Sequence, residues 1–353
     1  MPVGSRGTIK TASGRDVWLT GARMILANTY HLMLRPGTEV VAALGGVHAL
    51  SGFEGPVLTD SGGFQALSLG AAMDDAGMTF RSTYDGAVVR LTPEDAVRIQ
   101  SRLGSDIAVT LDDCPSLPAP RERVELAVER TARWGARCRD AHDGDGQALF
   151  GVVQGGTDPA MRARSAEAAT SVGFDGYCIG GLSVGESRQE MVDTLVALEP
   201  HLPLDSPRYL MGVGDPLGIA AAVSAGVDLF DSVWPTRQAR HGHALTDAGR
   251  LSIKRAEFAR SDEPLEDGCT CEACRTVSRG ALRHLLSVGE PLAARLLTLH
   301  NLSFLGRFMA RVRTAIRDSR LAEVVAELDP DRGGPPSNIG QPSTDLLGGP
   351  GCP

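Results

Sequence analysis

From Met24 to Asp231 the chain repeats one pattern: a short apolar run, a polar or glycine-rich end, then a helical stretch of roughly 10 to 20 residues. That alternation calls for parallel strands joined by helical crossovers, since a parallel pair cannot be closed by a tight hairpin. Met24 to Leu32 reads as a strand running into a polar loop. Further apolar runs are Pro56 to Thr59, Asp106 to Leu111, Ala148 to Val153, Gly176 to Ile179, Arg208 to Met211 and Gly226 to Phe230. Helical stretches fall near Glu39 to Leu44, Thr92 to Gly104, Pro120 to Asp140, Pro159 to Val172, just before Leu198, and Asp215 to Ala225. Thr92-Pro93-Glu94-Asp95 carries a cap, a proline and acid in the order a helix start requires. The segment before Met24 has no strong periodicity. The expected fold is α/β, a (β/α)8 barrel. A doubly wound open sheet fits less well, because no Gly-x-Gly-x-x-Gly opens the first unit.

The polar signals follow the strands. In such a barrel the C-terminal strand ends build the active site, so Asp60, Asp112, Gln154, Gly181, Gly214 and Asp231 would converge on one mouth. Any one of them alone is better explained as a turn cap or a satisfied strand-end group. Together, Asp60 and Asp231 form a candidate acid/base and nucleophile pair of the kind that exchanges a group at an anomeric carbon with retention. Asp112 and Gln154 offer an acceptor and an amide for the edge of a heterocycle. Phe64 and Met211 offer faces for stacking, although such residues more often serve as plain core. His31, His241 and His243 have no partner visible in the sequence and are given no catalytic role.

Seven cysteines include Cys269, Cys271 and Cys274, too crowded for an ordinary disulfide framework. Three thiolates and one imidazole make a closed tetrahedral site, the structural form of zinc, with one ion per chain and no position left for catalysis. Spacing leaves both His284 and His300 open as the fourth ligand. Net charge is -8, but from Ser232 to Arg320 fifteen Arg and Lys stand against nine Asp and Glu. This basic excess follows Asp231 and adjoins the cysteines, where a polyanion would dock.

No run approaches the ~18 apolar residues of a membrane span, and the N-terminus has no signal pattern, so a cytoplasmic protein is expected. After Thr246 the alternation stops. Helical sequence resumes near Arg279 to Leu286 and Pro291 to His300, with an Arg-rich helix from about Leu305 to Ala322. The expected organisation is a barrel over 1–246, a zinc-binding helical subdomain over 247–325 and a disordered tail over 326–353.

Asn28-Thr29-Tyr30-His31-Leu32, Thr59-Asp60-Ser61-Gly62-Gly63, Gly180-Gly181-Leu182, Met211-Gly212-Val213-Gly214, Phe230-Asp231, Pro235-Thr236-Arg237 and the Cys-x-Cys-x-x-Cys run resemble the tRNA-guanine transglycosylases. The likeness is specifically to the bacterial queuine tRNA-ribosyltransferases and spans Met1 to about Arg320. It implies an irregular TIM barrel with a zinc-bearing insertion. It also implies exchange of guanine for the queuosine precursor preQ1 at the wobble position of tRNAs with a G-U-N anticodon. Asp231 then matches the nucleophile that attacks ribose C1' to give a covalent enzyme-tRNA intermediate, and Asp60 the general acid/base.

Ser61, Gly62, Gly63, Asp112, Gln154, Gly181 and Leu182 match the base-binding set, and Phe64 and Met211 the pair that sandwiches the purine. Cys114 matches a position associated with preQ1-type bacterial members, and Glu186 a residue behind the Gly181-Leu182 peptide. Gly212, Val213, Gly214, Asp215, Pro216, Leu217 and Gly218 resemble one RNA-contacting loop. Thr236, Arg237, Gln238, Ala239 and Arg240 resemble another. The zinc ligands fall on Cys269, Cys271, Cys274 and His300, and a homodimer is implied.

A target base in an anticodon loop must be splayed into a pocket, which agrees with edge-reading and stacking residues gathered at one mouth. The family usually carries a few dozen residues before the position of Met1, so either the start codon is assigned too late or the barrel opens on an incomplete first strand with exposed apolar edges. Ser232 and Trp234 also depart from the family's commoner Cys and aliphatic residues. A non-catalytic RNA-binding paralogue is disfavoured by the presence of both Asp60 and Asp231. A transglycosylase acting on another nucleic-acid position is the remaining alternative.

Overall fold

The computed structural model describes residues 1–144 and 146–328. Its strands, in chain order, are β1 (Val3–Gly4), β2 (Ile25–Ala27), β3 (Val57–Thr59), β4 (Ala72–Asp74), β5 (Gly77–Arg81), β6 (Val88–Leu91), β7 (Ile107–Val109), β8 (Ala148–Val153), β9 (Gly176–Ile179), β10 (Arg208–Leu210), β11 (Leu229–Phe230), β12 (His243–Thr246) and β13 (Gly249–Ser252). Eight of them form one parallel sheet in the order β1-β2-β3-β7-β8-β9-β10-β11. The two edges meet: Pro2 bridges Ser232 in parallel, and Ser232 N–H donates to the Met1 carbonyl at 3.2 Å. The sheet therefore curls on itself as an irregular barrel.

The first strand corrects the expectation of an exposed apolar edge. Val3 pairs with Leu26 and is buried beside Leu58, Val109, Phe150, Val152, Cys178 and Tyr209, which fill the barrel interior. Filling that interior with branched and aromatic side chains contributes ~1.5–3 kcal/mol for each one removed from water. Helices such as Pro93–Leu103, Arg121–Ala141 and Pro159–Val172 follow their strands within a residue or two of the sequence expectation. The Thr92 cap forms with Asp95 as its reciprocal partner.

Four features differ from the sequence reading. Residues Thr29–Leu34 are a helix and not a loop; Asn28 occupies its N-cap but sends its side chain to Asp60 instead of capping. Gly63–Ser68 is likewise helical. The segment after Asp231 is a helix, Trp234–Arg240, with proline in its first turn. Pro291–Arg317 is one continuous helix of 27 residues, not two. Asn301 looks like a break in it, yet Asn301 is fully buried: it donates to the Pro235 and His243 carbonyls at 2.9 and 3.0 Å and accepts from Leu245 N–H at 2.9 Å.

Two antiparallel additions, the sheet β4-β5-β6 and the hairpin β12-β13, leave no mark in the barrel rhythm. A helix, Leu321–Leu328, ends the described chain and makes 326–328, the start of the expected disordered tail over 326–353, helical; the rest of that tail lies outside the described residues. Among the described residues no helix is long and apolar enough to cross a membrane.

Candidate active site and metal centre

Asp60 directly follows β3 and Asp231 directly follows β11, so the parallel sheet delivers both to the same C-terminal rim. Asp60 is buried and accepts hydrogen bonds from Thr29 N–H at 2.9 Å, Gly62 N–H at 3.1 Å, the Gln65 amide at 3.0 Å and the Asn28 amide. Burial nevertheless prevails and pushes its carboxyl up to about 6; the donors oppose this and the Asp231 charge adds to it. A carboxyl of that strength can both hold and release a proton near neutrality. Gly62 is required for the turn, because its φ is +79° and a Cβ there would lie 3.0 Å from Tyr30 N.

Asp231 is half-buried. Its Oδ1 accepts from the Tyr209 hydroxyl at 2.6 Å and from Gly212 N–H at 2.8 Å, while Oδ2 has no hydrogen bond from the described residues. One carboxylate oxygen is thereby fixed and the other left without a hydrogen bond among the described residues.

Beyond these two, the Gln154 amide donates to Asp112 Oδ2 at 2.7 Å, so the predicted acceptor and amide lie side by side. Burial, reinforced by Asp113 and Asp60, pushes the Asp112 carboxyl up to about 7 against that bond. Asp113 next to it is ion-paired, with Arg130 at 2.6 Å and with Arg123. Gln154 Oε1 is buried without a partner, an acceptor available to a ligand. Gly181 packs against it at φ +67°, where a Cβ would lie 2.4 Å from Oε1.

Ser61, Gly63 and Leu182 are buried, and Ser61 Oγ accepts from Gly63 N–H at 3.3 Å. Cys114 is buried too, its thiol pushed up to about 12 chiefly by burial, so it stays protonated and unreactive. Glu186 accepts from Ser183 and Val184 N–H, fastening the turn after Leu182. Phe64 is 41% exposed, which removes the plain-core reading of that ring; Met211 is half-buried against the barrel interior.

The two RNA-type segments divide by burial. Gly212 is exposed, and Asp215, Leu217, Arg237, Gln238 and Arg240 are partly so. Val213, Gly214, Pro216, Gly218, Thr236 and Ala239 are buried. Asp215 caps its helix through Gly218 N–H at 2.9 Å, and Thr236 Oγ donates to the Val233 carbonyl at 3.1 Å.

Cys269, Cys271, Cys274 and His300 bring their ligand atoms within 4.8 Å of one another, a group that can hold a metal ion. His300 Nδ1 faces the three sulfurs at 3.8, 3.5 and 3.4 Å, while Nε2 donates to the Leu245 carbonyl at 2.8 Å. That carbonyl fixes the tautomer and aims the ring, as the outer shell of a metal site should. His284, the other histidine allowed by spacing, is exposed and outside the group.

Sequence reasoning missed Asn28, Gln65 and Tyr209 as partners of the two carboxylates. Asn28 could have been found, since it ends β2 as Asp60 ends the adjacent β3. Tyr209 lies within an apolar strand, where nothing marks its hydroxyl as functional.

A family model described as queuine tRNA-ribosyltransferase matches residues 1–332. Among curated proteins, the queuine tRNA-ribosyltransferase of Solidesulfovibrio magneticus is 52% identical over 333 residues, covering 93% of this chain and 89% of that protein. The protein of the same description from Gloeobacter violaceus is 50% identical over 333 residues, 92% of this chain and 88% of its own. That from Pelotomaculum thermopropionicum is 49% identical over 325 residues, with the same two coverages of 92% and 88%.

Proposed function

The chain belongs to the queuine tRNA-ribosyltransferase family and is a tRNA-guanine transglycosylase, a pentosyltransferase; from that premise we propose how its residues carry the exchange. The substrate is a tRNA with a G-U-N anticodon, and guanine at the wobble position is replaced by preQ1 in queuosine biosynthesis. Asp231 attacks ribose C1', the C1'–N9 bond breaks, and the electron pair leaves with guanine, which takes its proton from Asp60. The ribose is then an ester of Asp231. PreQ1 enters, gives its N9 proton to Asp60, and its nitrogen displaces the Asp231 carboxylate from C1'. Two inversions give net retention.

The observation that carries this reading is the delivery of a buried Asp60 after β3 and of Asp231, with Oδ1 held by Tyr209 and Gly212, after β11 to the same rim of the parallel sheet. Asp112, Gln154, Gly181 and Leu182 read the purine edge, Phe64 and Met211 cover its faces, and Cys114 belongs to the preQ1-type pocket. Arg237 and Arg240, with Gly212 at the opposite loop, position the anticodon backbone by phosphate contact. Cys269, Cys271, Cys274 and His300 would hold one structural zinc per chain, with no open coordination position. A homodimer rests on the family alone, and a cytoplasmic setting follows from a tRNA substrate. The test is incorporation of labelled guanine or preQ1 into a G-U-N tRNA. Incorporation at the wobble position is expected, and its absence would contradict the reading.

A further inference from the structure

Arg162, on the helix Pro159–Val172, is fully buried. Its Nε donates to the Gly156 carbonyl at 2.7 Å, one terminal nitrogen to the Val153 carbonyl at 3.0 Å and the other to the Gly181 carbonyl at 3.4 Å. No carboxylate among the described residues lies within 4.0 Å of it. Burial brings its guanidinium down to about 10, so it remains charged at neutral pH. Glu186 acts on it only from beyond ion-pair distance, and burial outweighs that attraction; a buried cation without a direct ion pair is unfavourable, and an apolar side chain of similar size would fill the space without that penalty.

The three carbonyls define what the charge is for. Val153 and Gly156 bracket Gln154, and Gly181 is the residue pressed against the Gln154 amide. The backbone here is Gln154-Gly155-Gly156 on one side and Gly180-Gly181 on the other, with φ of +134°, +56° and +67° at Gly155, Gly156 and Gly181. Four glycines at one site give a loose chain that does not hold its own shape. A planar fork of five donors spanning both segments supplies the missing constraint. Because the peptide is planar and trans, holding the Gly181 carbonyl toward Arg162 also aims Leu182 N–H in the opposite direction.

We propose that Arg162 is a positioning residue for base recognition, a buried fork that locks the Gln154 strand end and the Gly181-Leu182 peptide into one preset pattern of donors and acceptors. The inference rests on the base-reading role given above to Gln154, Gly181 and Leu182. Arg162→Lys keeps the charge and loses the fork; Arg162→Met loses both and keeps the volume. Each variant is assayed beside wild type for guanine exchange, varying free base and tRNA separately, with a thermal midpoint measured for each. The KM for free base rises roughly tenfold in Arg162→Lys and further in Arg162→Met, while the KM for tRNA, set mainly by contacts outside the base pocket, stays within about twofold.

Folded variants with wild-type KM for the base would overturn the inference alone. Failure of both variants to fold would also overturn it, assigning the guanidinium to stability. A wild-type protein that exchanges no base would overturn the underlying reading, and this inference with it.

Discussion

Tyr209 Oη lies 2.6 Å from Asp231 Oδ1, donating from within β10 to the residue that ends β11. Tyr209 is fully buried, and burial together with the Asp231 charge drives its hydroxyl well above the usual phenol range, so it stays a donor. In Tyr209→Phe only Gly212 N–H would remain to orient the carboxylate. The rate of adduct formation with tRNA should fall roughly 10- to 100-fold, the worth of one hydrogen bond to a charged group, with little change in thermal midpoint. Single-turnover kinetics checks this; an unchanged rate would mean that Tyr209 does not orient Asp231.

Asn28 acts on the other carboxylate. Its amide bond to Asp60 favours the ionised form, so Asn28→Ala should raise the Asp60 carboxyl further above about 6. In the proposed exchange departing guanine takes its proton from Asp60, so its release should slow as pH rises through that value. The midpoint of this limb should move to higher pH in Asn28→Ala, as read by single-turnover guanine release across pH. A shift to lower pH would contradict the assignment.

Asp112 makes a stability prediction. Its folded carboxyl, at about 7, lies above the ordinary 3.8, so between those values the native state binds more protons than the unfolded chain. Stability therefore falls as pH rises through that window, and the full cost is present above it. Asp112→Asn removes the buried charge yet can still accept from Gln154. It should be more stable than wild type by roughly 2–4 kcal/mol at pH near 8 and about equal near pH 4, while the KM for free base rises. Denaturant unfolding at the two pH values tests both signs.

How much of this was legible in the sequence follows from where the signals reside. The barrel was readable because polar or glycine residues follow the strands closely and several crossover helices carry their own side-chain caps, as at Thr92, Asp158, Ser187 and Asp215. Those are local features. The Trp234–Arg240 helix and the unbroken Pro291–Arg317 helix were not readable, because their continuity depends on Asn301 bonding to Pro235, His243 and Leu245, partners more than fifty residues away. Asp60, Asp112, Gln154 and Asp231 were legible as a set, whereas the bonds from Asn28 and Tyr209 exist only once neighbouring strands pair. Burial of Thr236 and Ala239 was likewise hidden, since a seven-residue helix shows its inward face only when packed.

The metal centre couples to the arginine helix. Asn301 follows His300 directly and donates to the Pro235 carbonyl at the head of Trp234–Arg240. Purified protein should contain one zinc per chain, as measured by elemental analysis. His300→Ala should lose it, lower the thermal midpoint by several degrees or more, and weaken tRNA binding more than it affects the KM for free base. Equal losses for tRNA and base would show that the two sites are not separable in this way.

In the proposed exchange Asp231 is the group joined to the ribose, and trapping that adduct is its most direct test. Wild-type protein is incubated with a G-U-N tRNA in the absence of free base, denatured and digested, and the modified peptide is identified by mass spectrometry. A ribonucleotide ester on Asp231 is expected, absent in Asp231→Asn. An adduct on Asp60 or any other residue, or guanine exchange that persists in Asp231→Asn, would contradict it.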